Sequence, residues 1–535
     1  MTDVFQTVLL MMAVLALVAV VARRLHTAPS ILLVLAGVGV ALIPGLPPVV
    51  LAPEVVLLVI LPPLIYSAGV AMSWREFRFN LRPITLLAFG CVIFTTCAIA
   101  AAAHTLLQFS WATGFVLGAI IAPPDTVAPL AIARRLGLPR RLVVVLEGEG
   151  LANDATALIL YRFAVAAAAT GTFSPSRAAG TFALIIVGEI FWGVAVGWLS
   201  LKLRQWAHDP RVEITLSIMT PYVAFWAPQH LGGSGVLATV ACGLWVSWNG
   251  PRLISSATRL QGIFFWDLIV YLIEGFVFLL TGLQARMLID QSHDFPLSQI
   301  LIAIAVTTAI AIVARFVWVF PATYLPRWMI PPIAKSDPSP PWQFPFFLSF
   351  TGVRGVVSLA AALAIPYFTD SGAPFPEREM IMFVTFGVII ITLVGQGAML
   401  PAIARWLGLM RLAKKERRAE TEAEIAGRQA ALKRVIDRLE DLVSDRQIPD
   451  DVMTLLRTRN ESRQQILPAD LGDGLARLRL SADIKKELID EERAFIYQLL
   501  RDGKITDESR RRIEYELDLE EASVFNRGRD GGGWF

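Results

Sequence analysis

Between residues 4 and 407 the chain carries about thirteen apolar runs of membrane-spanning length, and no other feature restricts its fold so severely. They lie near 4–21, 29–44, 54–71, 83–107, 111–136, 141–167, 178–201, 212–229, 233–248, 262–284, 298–325, 342–366 and 380–407. A composition 55% hydrophobic and only 17% charged is too apolar for one large soluble enzyme. The fold class expected is therefore an all-α polytopic membrane protein. Asp3 precedes the first run and Arg23-Arg24 follow it without a small-residue cleavage site, so the run is read as a first transmembrane helix and not a signal peptide. Cys91, Cys97 and Cys242 lie inside apolar segments, without metal or redox spacing, and are expected to be buried free thiols.

Loop charge supplies the orientation. Arg23-Arg24, Arg75/Arg78/Arg82, Arg134/Arg135/Arg140/Arg141, Lys202/Arg204/Arg211, Arg252/Arg259 and Arg327/Lys335 occupy alternate loops, whereas the intervening loops offer only Arg177, Arg286 and Arg378. The positive-inside rule makes the first set cytoplasmic, with the N-terminus outside and the C-terminus cytoplasmic in a plasma (inner) membrane. The formal net charge of +3 belongs to this topology, and no nucleic-acid partner is expected.

Two runs contain breaks: Ala122-Pro123-Pro124-Asp125-Thr126 in the fifth, and Thr351-Gly352-Val353-Arg354-Gly355 in the twelfth. A proline pair inside a helix costs several kcal/mol, and mid-membrane backbone is tolerated unpaired only where it lines a cavity or is covered by protein. Five plus seven is twelve, so the breaks correspond if two inverted six-helix repeats are joined by the seventh helix. That pattern places a binding site where the broken helices cross.

The chain then turns polar. We divide it into 1–408, a transmembrane domain; 409–525, a cytoplasmic helical domain; and 526–535, a disordered tail. Leu432, Val435, Ile436, Leu439, Leu442 and Val443 form one amphipathic face, and a helix-turn-helix is expected around Gly503 and Thr506/Asp507.

The sixth run holds Glu147-Gly148-Glu149-Gly150-Leu151-Ala152-Asn153-Asp154, with Asp154 near the bilayer midplane. A charge there costs at least a few kcal/mol and is functional by default. Asp125 and Arg354 sit at the same depth. Glu149 and Asp154 are five residues apart, about 140° around a helix, so they face different neighbours. We assign Asp154 to the cavity and Glu149 to a structural ion pair with Arg354. Asp125 stands beside freed carbonyls, as a hard transported cation such as Na+ would require. Glu189, Glu274 and Arg315 are expected to form interhelical ion pairs.

On these residues the first four hundred positions resemble the monovalent cation:proton antiporter family 1. Glu149 to Asp154 is similar to its Gly-Glu-Ser-Leu-x-Asn-Asp signature, with Gly150 in place of Ser. Ala122-Pro123-Pro124-Asp125 and Thr351-Gly352-Val353-Arg354-Gly355 resemble its Asp and Arg-Gly elements. The resemblance implies that Asp154 binds cation and proton, that Asn153 is its neutral neighbour, that Asp125 is a second site residue and that Glu149 pairs with Arg354. It implies a homodimer of thirteen-helix protomers. Some members carry a Glu near the segment matching Tyr66-Ser67-Ala68-Gly69, and this chain does not. The function expected is antiport of Na+, or of Li+ or K+, against H+ by alternating access, serving pH homeostasis. A single titratable group beside Asn153 suggests electroneutral exchange. No cofactor is expected.

An intramembrane protease is disfavoured. Gly232-Gly233-Ser234-Gly235 matches a rhomboid-like Gly-x-Ser-Gly, but the only later histidine, His293, falls in a loop. A channel is disfavoured because midplane carboxylates on broken helices suit alternating access.

Overall fold

The computed structural model describes residues 2–25, 27–43, 52–171, 174–291, 295–445, 450–465 and 471–528. Residues 529–535, most of the expected disordered tail, and His293 lie outside them, whereas residues 526–528 close the helix Asp507–Gly528. The described residues contain no strand beyond a single bridge between Phe368 and Pro374. The chain divides into Met1–Met410 and Arg411–Phe535.

Helix lies in each of the apolar runs. Among the described residues, six helical segments are long and apolar enough to cross a membrane: Val8–Leu25, Leu81–Leu107, Ala178–Ala207, Ser256–Ile289, Leu297–Met329 and Arg378–Trp406. Shorter apolar helices include Pro29–Ala41, Val55–Ala71 and Trp111–Ile121. Side-chain caps start several helices: Ser110 accepts from Thr113 N at 3.1 Å, Ser255 from Thr258 N at 3.2 Å and Asp209 from Arg211 N at 2.8 Å. Cys91 and Cys242 are buried, but Cys97 is exposed on an apolar helix face and corrects that expectation.

Small residues bring backbones together where no aqueous hydrophobic drive is available. A Cβ at Gly282 would sit 2.2 Å from Val34 O, and one at Gly37 would sit 2.3 Å from Leu279 O. Helices Pro29–Ala41 and Ser256–Leu283 therefore touch main chain to main chain. Gly69 and Gly243 do the same for Leu61–Ala71 and Val236–Leu253, since a Cβ at Gly69 would lie 3.3 Å from Gly243 Cα and one at Gly243 would lie 3.1 Å from Gly69 Cα.

The expected breaks are present. The fifth run is two helices, Trp111–Ile121 and Val127–Leu136, and the twelfth is Gln343–Phe350 and Val356–Leu363. The unbroken helix Arg140–Thr170 runs beside them. A π-helical turn, Ile391–Gln396, interrupts the last apolar helix and turns Thr392 and Gln396 toward the second break.

In the unit Arg411–Phe535, helices Leu471–Arg501 and Asp507–Gly528 form a hairpin through Gly503, whose φ of 70° suits glycine. Thr506 Oγ1 accepts from Ser509 N at 3.2 Å, and Arg493 bridges to Asp518 and Glu521 at 2.5 and 2.6 Å.

Candidate functional site

Breaking two helices inside a membrane releases N–H and C=O groups that must find partners. Asp125 N donates to Val353 O at 2.7 Å, so the main chains of the two breaks bond to each other. Ala122 O accepts from Arg354 Nη1 at 2.9 Å, and Pro124 O accepts from Asn153 Nδ2 at 2.7 Å. Arg354 N donates to Thr392 Oγ1 at 3.0 Å, and Phe350 O accepts from Gln396 Nε2 at 3.2 Å. The Asp125 carboxylate accepts from Val127 N at 2.9 Å, opening the second half-helix. Thr351 stays tied to its own helix, its Oγ1 donating to Leu348 O at 2.9 Å. The freed carbonyls of Ala122 and Pro124, expected beside a cation, are thus already engaged by Arg354 and Asn153.

Burial separates scaffold from site. Asn153, Glu149 and Thr351 are 0% exposed and Arg354 1%, whereas Asp125 and Asp154 are both partly exposed. The two open carboxylates are in electrostatic reach of one another. Asn153 holds them in register by donating to Pro124 O and accepting from Asp154 N at 2.7 Å. Gly355 gives the Asp125 carboxylate its room, since a Cβ there would lie 2.0 Å from Asp125 Oδ2. Pro123 lies in the same break, buried.

The ion pair expected between Glu149 and Arg354 is not formed. Glu149 is held instead by Arg315 of the helix Leu297–Met329, in a two-pronged pair of 2.5 and 2.8 Å, with Arg315 2% exposed. Arg315 Nε also donates to Leu348 O at 2.9 Å, and its side chain packs where a Cβ on Gly352 would come within 3.0 Å. Arg354, spent on the Ala122 carbonyl, sits in the break itself. The pairing was expected because a buried Arg354 needs a carboxylate, but Arg315 is also buried and meets Glu149 with its planar fork.

Gly150, the departure from the signature, has a physical counterpart. A Cβ at Gly150 would lie 2.0 Å from Thr126 Oγ1, so the Thr126 hydroxyl fills the space a larger residue would need. Tyr66 is buried, its hydroxyl accepting from Arg204 Nη2 at 2.9 Å and its ring 5.4 Å from that of Trp266. A phenol therefore stands in the segment where some relatives have a carboxylate.

Glu189 makes no ion pair of hydrogen-bonding length. Its carboxylate, 2% exposed, accepts from the main-chain N–H of Ser234, Gly235 and Leu237 at 2.5, 3.0 and 3.0 Å, and from Ser234 Oγ at 3.1 Å. The Gly232-Gly233-Ser234-Gly235 segment is a carboxylate cradle at the start of Val236–Leu253, with Ser234 occupied as a donor. Glu274 has no hydrogen-bonded partner among the described residues and lies within electrostatic reach of Asp125 and Arg134.

Residues 10–406 match the family model described as sodium/hydrogen exchanger, transmembrane. The chain is 34% identical to an uncharacterised Na+/H+ exchanger of Mycobacterium tuberculosis, over 98% of this chain and 97% of that one. It is 33% identical to a sodium, potassium, lithium and rubidium/H+ antiporter of Bacillus subtilis, over 75% of this chain and 61% of that one. Its fold is similar to that of the sodium proton antiporter MjNhaP1 of Methanocaldococcus jannaschii, with a TM-score of 0.62 at 18% identity, covering 76% of this chain and 98% of that one.

Proposed function

Because the chain belongs to the sodium/hydrogen exchanger family, we propose that it is a secondary antiporter exchanging Na+ for H+ at Asp154 and Asp125. One observation carries this reading: at the junction of two broken helices, Asp125 and Asp154 stay partly open while Glu149, Asn153, Thr351 and Arg354 around them are buried. A proton and a dehydrated cation compete for the Asp154 carboxylate, and Asp125 supplies further oxygen ligands, with water completing the shell. Asn153, Arg354 and the Glu149–Arg315 pair keep the backbone around them satisfied and rigid. The bound ion is carried by rigid-body movement around the site.

The same reading includes thirteen crossings in two inverted six-helix repeats, an outer N-terminus, a cytoplasmic helical domain from about residue 409 and a homodimer in the plasma membrane. Helix in each apolar run and the alternation of loop charge support it. A role in pH homeostasis follows from the exchange itself. A second reading is broader monovalent exchange, K+ included, which the relative from Bacillus subtilis favours.

Cation-driven proton movement in proteoliposomes, run separately with Na+, Li+ and K+, tests both. Na+ alone should drive exchange under the first reading, and K+ should also drive it under the second. No response to any cation would end the proposal. One titratable group beside Asn153 leads us to propose one-for-one exchange. A two-for-one exchanger would shift its equilibrium cation gradient by about 50-fold under 100 mV, and this chain should not shift.

A further inference from the structure

We propose that Arg82, Arg141 and Arg327, gathered at one end of the bundle, bind the phosphate of an anionic phospholipid, with a few of its methylene groups entering the largely apolar cavity that they line. The three guanidiniums converge on a single carboxylate. Asp337 Oδ2 meets Arg82 Nη2 at 2.5 Å and Arg327 Nη2 at 2.8 Å, and Oδ1 meets Arg141 Nη2 at 2.6 Å. Three cations around one anion leave two positive charges in excess.

The arginines are not equally spent. Arg327, 5% exposed in its side chain, has all three nitrogens engaged: Nε donates to Asp337 O at 3.1 Å, Nη1 to Thr323 O and Nη2 to the carboxylate. Arg82 and Arg141 each give only one nitrogen to Asp337, and their side chains are 27% and 28% exposed. Two planar forks with spare donors, side by side, match the oxygens of a phosphate.

The three arginines line one part of a cavity of about 50 Å³ whose other walls are mostly apolar, with Leu86, Leu87, Leu142, Val145 and Phe344 among them. That apolar part of the wall suits methylene groups. A charged mouth over an apolar wall is the complement of an amphiphile and not of a soluble anion. The position agrees. The cavity lies between the starts of Leu81–Thr85, Arg140–Thr170 and Gln343–Phe350 and the end of Leu297–Met329. Trp328 and Trp342, 82% and 49% exposed, stand at this level, as tryptophans do at a membrane interface. Basic pockets between transmembrane helices hold anionic headgroups in this way.

The test uses the full-length protein in detergent, offered phosphatidylglycerol or phosphatidylcholine, with retained lipid counted by native mass spectrometry. The wild type should retain phosphatidylglycerol about ten-fold over phosphatidylcholine. The Arg82→Gln/Arg141→Gln double variant should lose that preference, and Arg75→Gln/Arg78→Gln, which removes the same charge from exposed positions, should keep it. Should the double variant fail to elute as a single species, Val145→Phe fills the cavity and leaves every arginine in place. It too should lose phosphatidylglycerol. Equal retention by wild type and either cavity variant would overturn the proposal. So would inorganic phosphate displacing phosphatidylglycerol at equal concentration, which would assign the cluster to a soluble anion.

Discussion

Replacing Glu149 by Gln would leave Arg315 charged and sealed, with no carboxylate in contact. The pair is two-pronged, at 2.5 and 2.8 Å, and its side chains are 0% and 2% exposed, so water cannot take the missing partner's place. Breaking such a pair from one side costs about 3–5 kcal/mol. At about 2 °C per kcal/mol, the scale of large domains, the unfolding midpoint should fall by about 6–10 °C. Arg315→Gln should cost a similar amount, because it strands the carboxylate. The double variant Glu149→Gln/Arg315→Gln removes both charges and should regain most of the loss, giving a coupling of at least about 2 kcal/mol in a double-mutant cycle. Glu149→Gln/Arg354→Gln, in contrast, should give a much smaller coupling, since Arg354 spends its Nη1 on the Ala122 carbonyl. Thermal melting of detergent-purified protein, with monodisperse elution as the control, measures these four variants and the Arg354→Gln single that completes the second cycle. A coupling of Glu149 to Arg354 as large as that to Arg315, or single variants as stable as the parent, would refute this account.

Asp154→Asn should abolish cation-driven proton movement in proteoliposomes while the protein elutes normally, and Asp125→Asn should weaken apparent cation affinity at least about ten-fold. Gly150→Ser should reduce exchange about ten-fold, because its Cβ would meet Thr126 Oγ1 at 2.0 Å. Adding Thr126→Ala should restore part of that rate, and an unimpaired single variant would show the space to be open. Truncation after Arg418 should leave an inserted, active exchanger with an altered rate or pH response, as every proposed site residue precedes it. A well-folded but inactive truncation would make the later helices part of the machinery.

Much of the site was legible in the sequence because its signals are costs. The proline pair at 123 and 124 cannot continue a helix, and a carboxylate at position 154 cannot sit idle in hydrocarbon, so both announced themselves. Depth could be counted along the chain. Direction around each helix could not, and the Glu149 partner depended on it: Arg315 and Arg354 both lay within apolar runs, and only packing chose between them. The lone cation in the middle of run 298–325 was the available signal. Cross-helix space was equally hidden. Gly150 read as a missing serine until Thr126 was seen filling its place, and Gly232-Gly233-Ser234-Gly235, a nucleophile-like match already disfavoured for want of a histidine, had no role until Glu189 was found bound by its amides. The Arg493 hairpin was legible because its turn residues carry the signal locally.

The bond from Asp125 N to Val353 O joins the two breaks through main chain alone. Side-chain replacement at either position leaves an amide and a carbonyl in place, so an alanine scan would pass over this suture without a mark. Only chemistry that edits the backbone can cut it, an amide-to-ester exchange at position 125 or a proline there. Two breaks stitched in this way have little freedom to slide separately. In the exchange proposed above the crossing would travel as one piece, with its most consequential contact written in atoms that every residue shares.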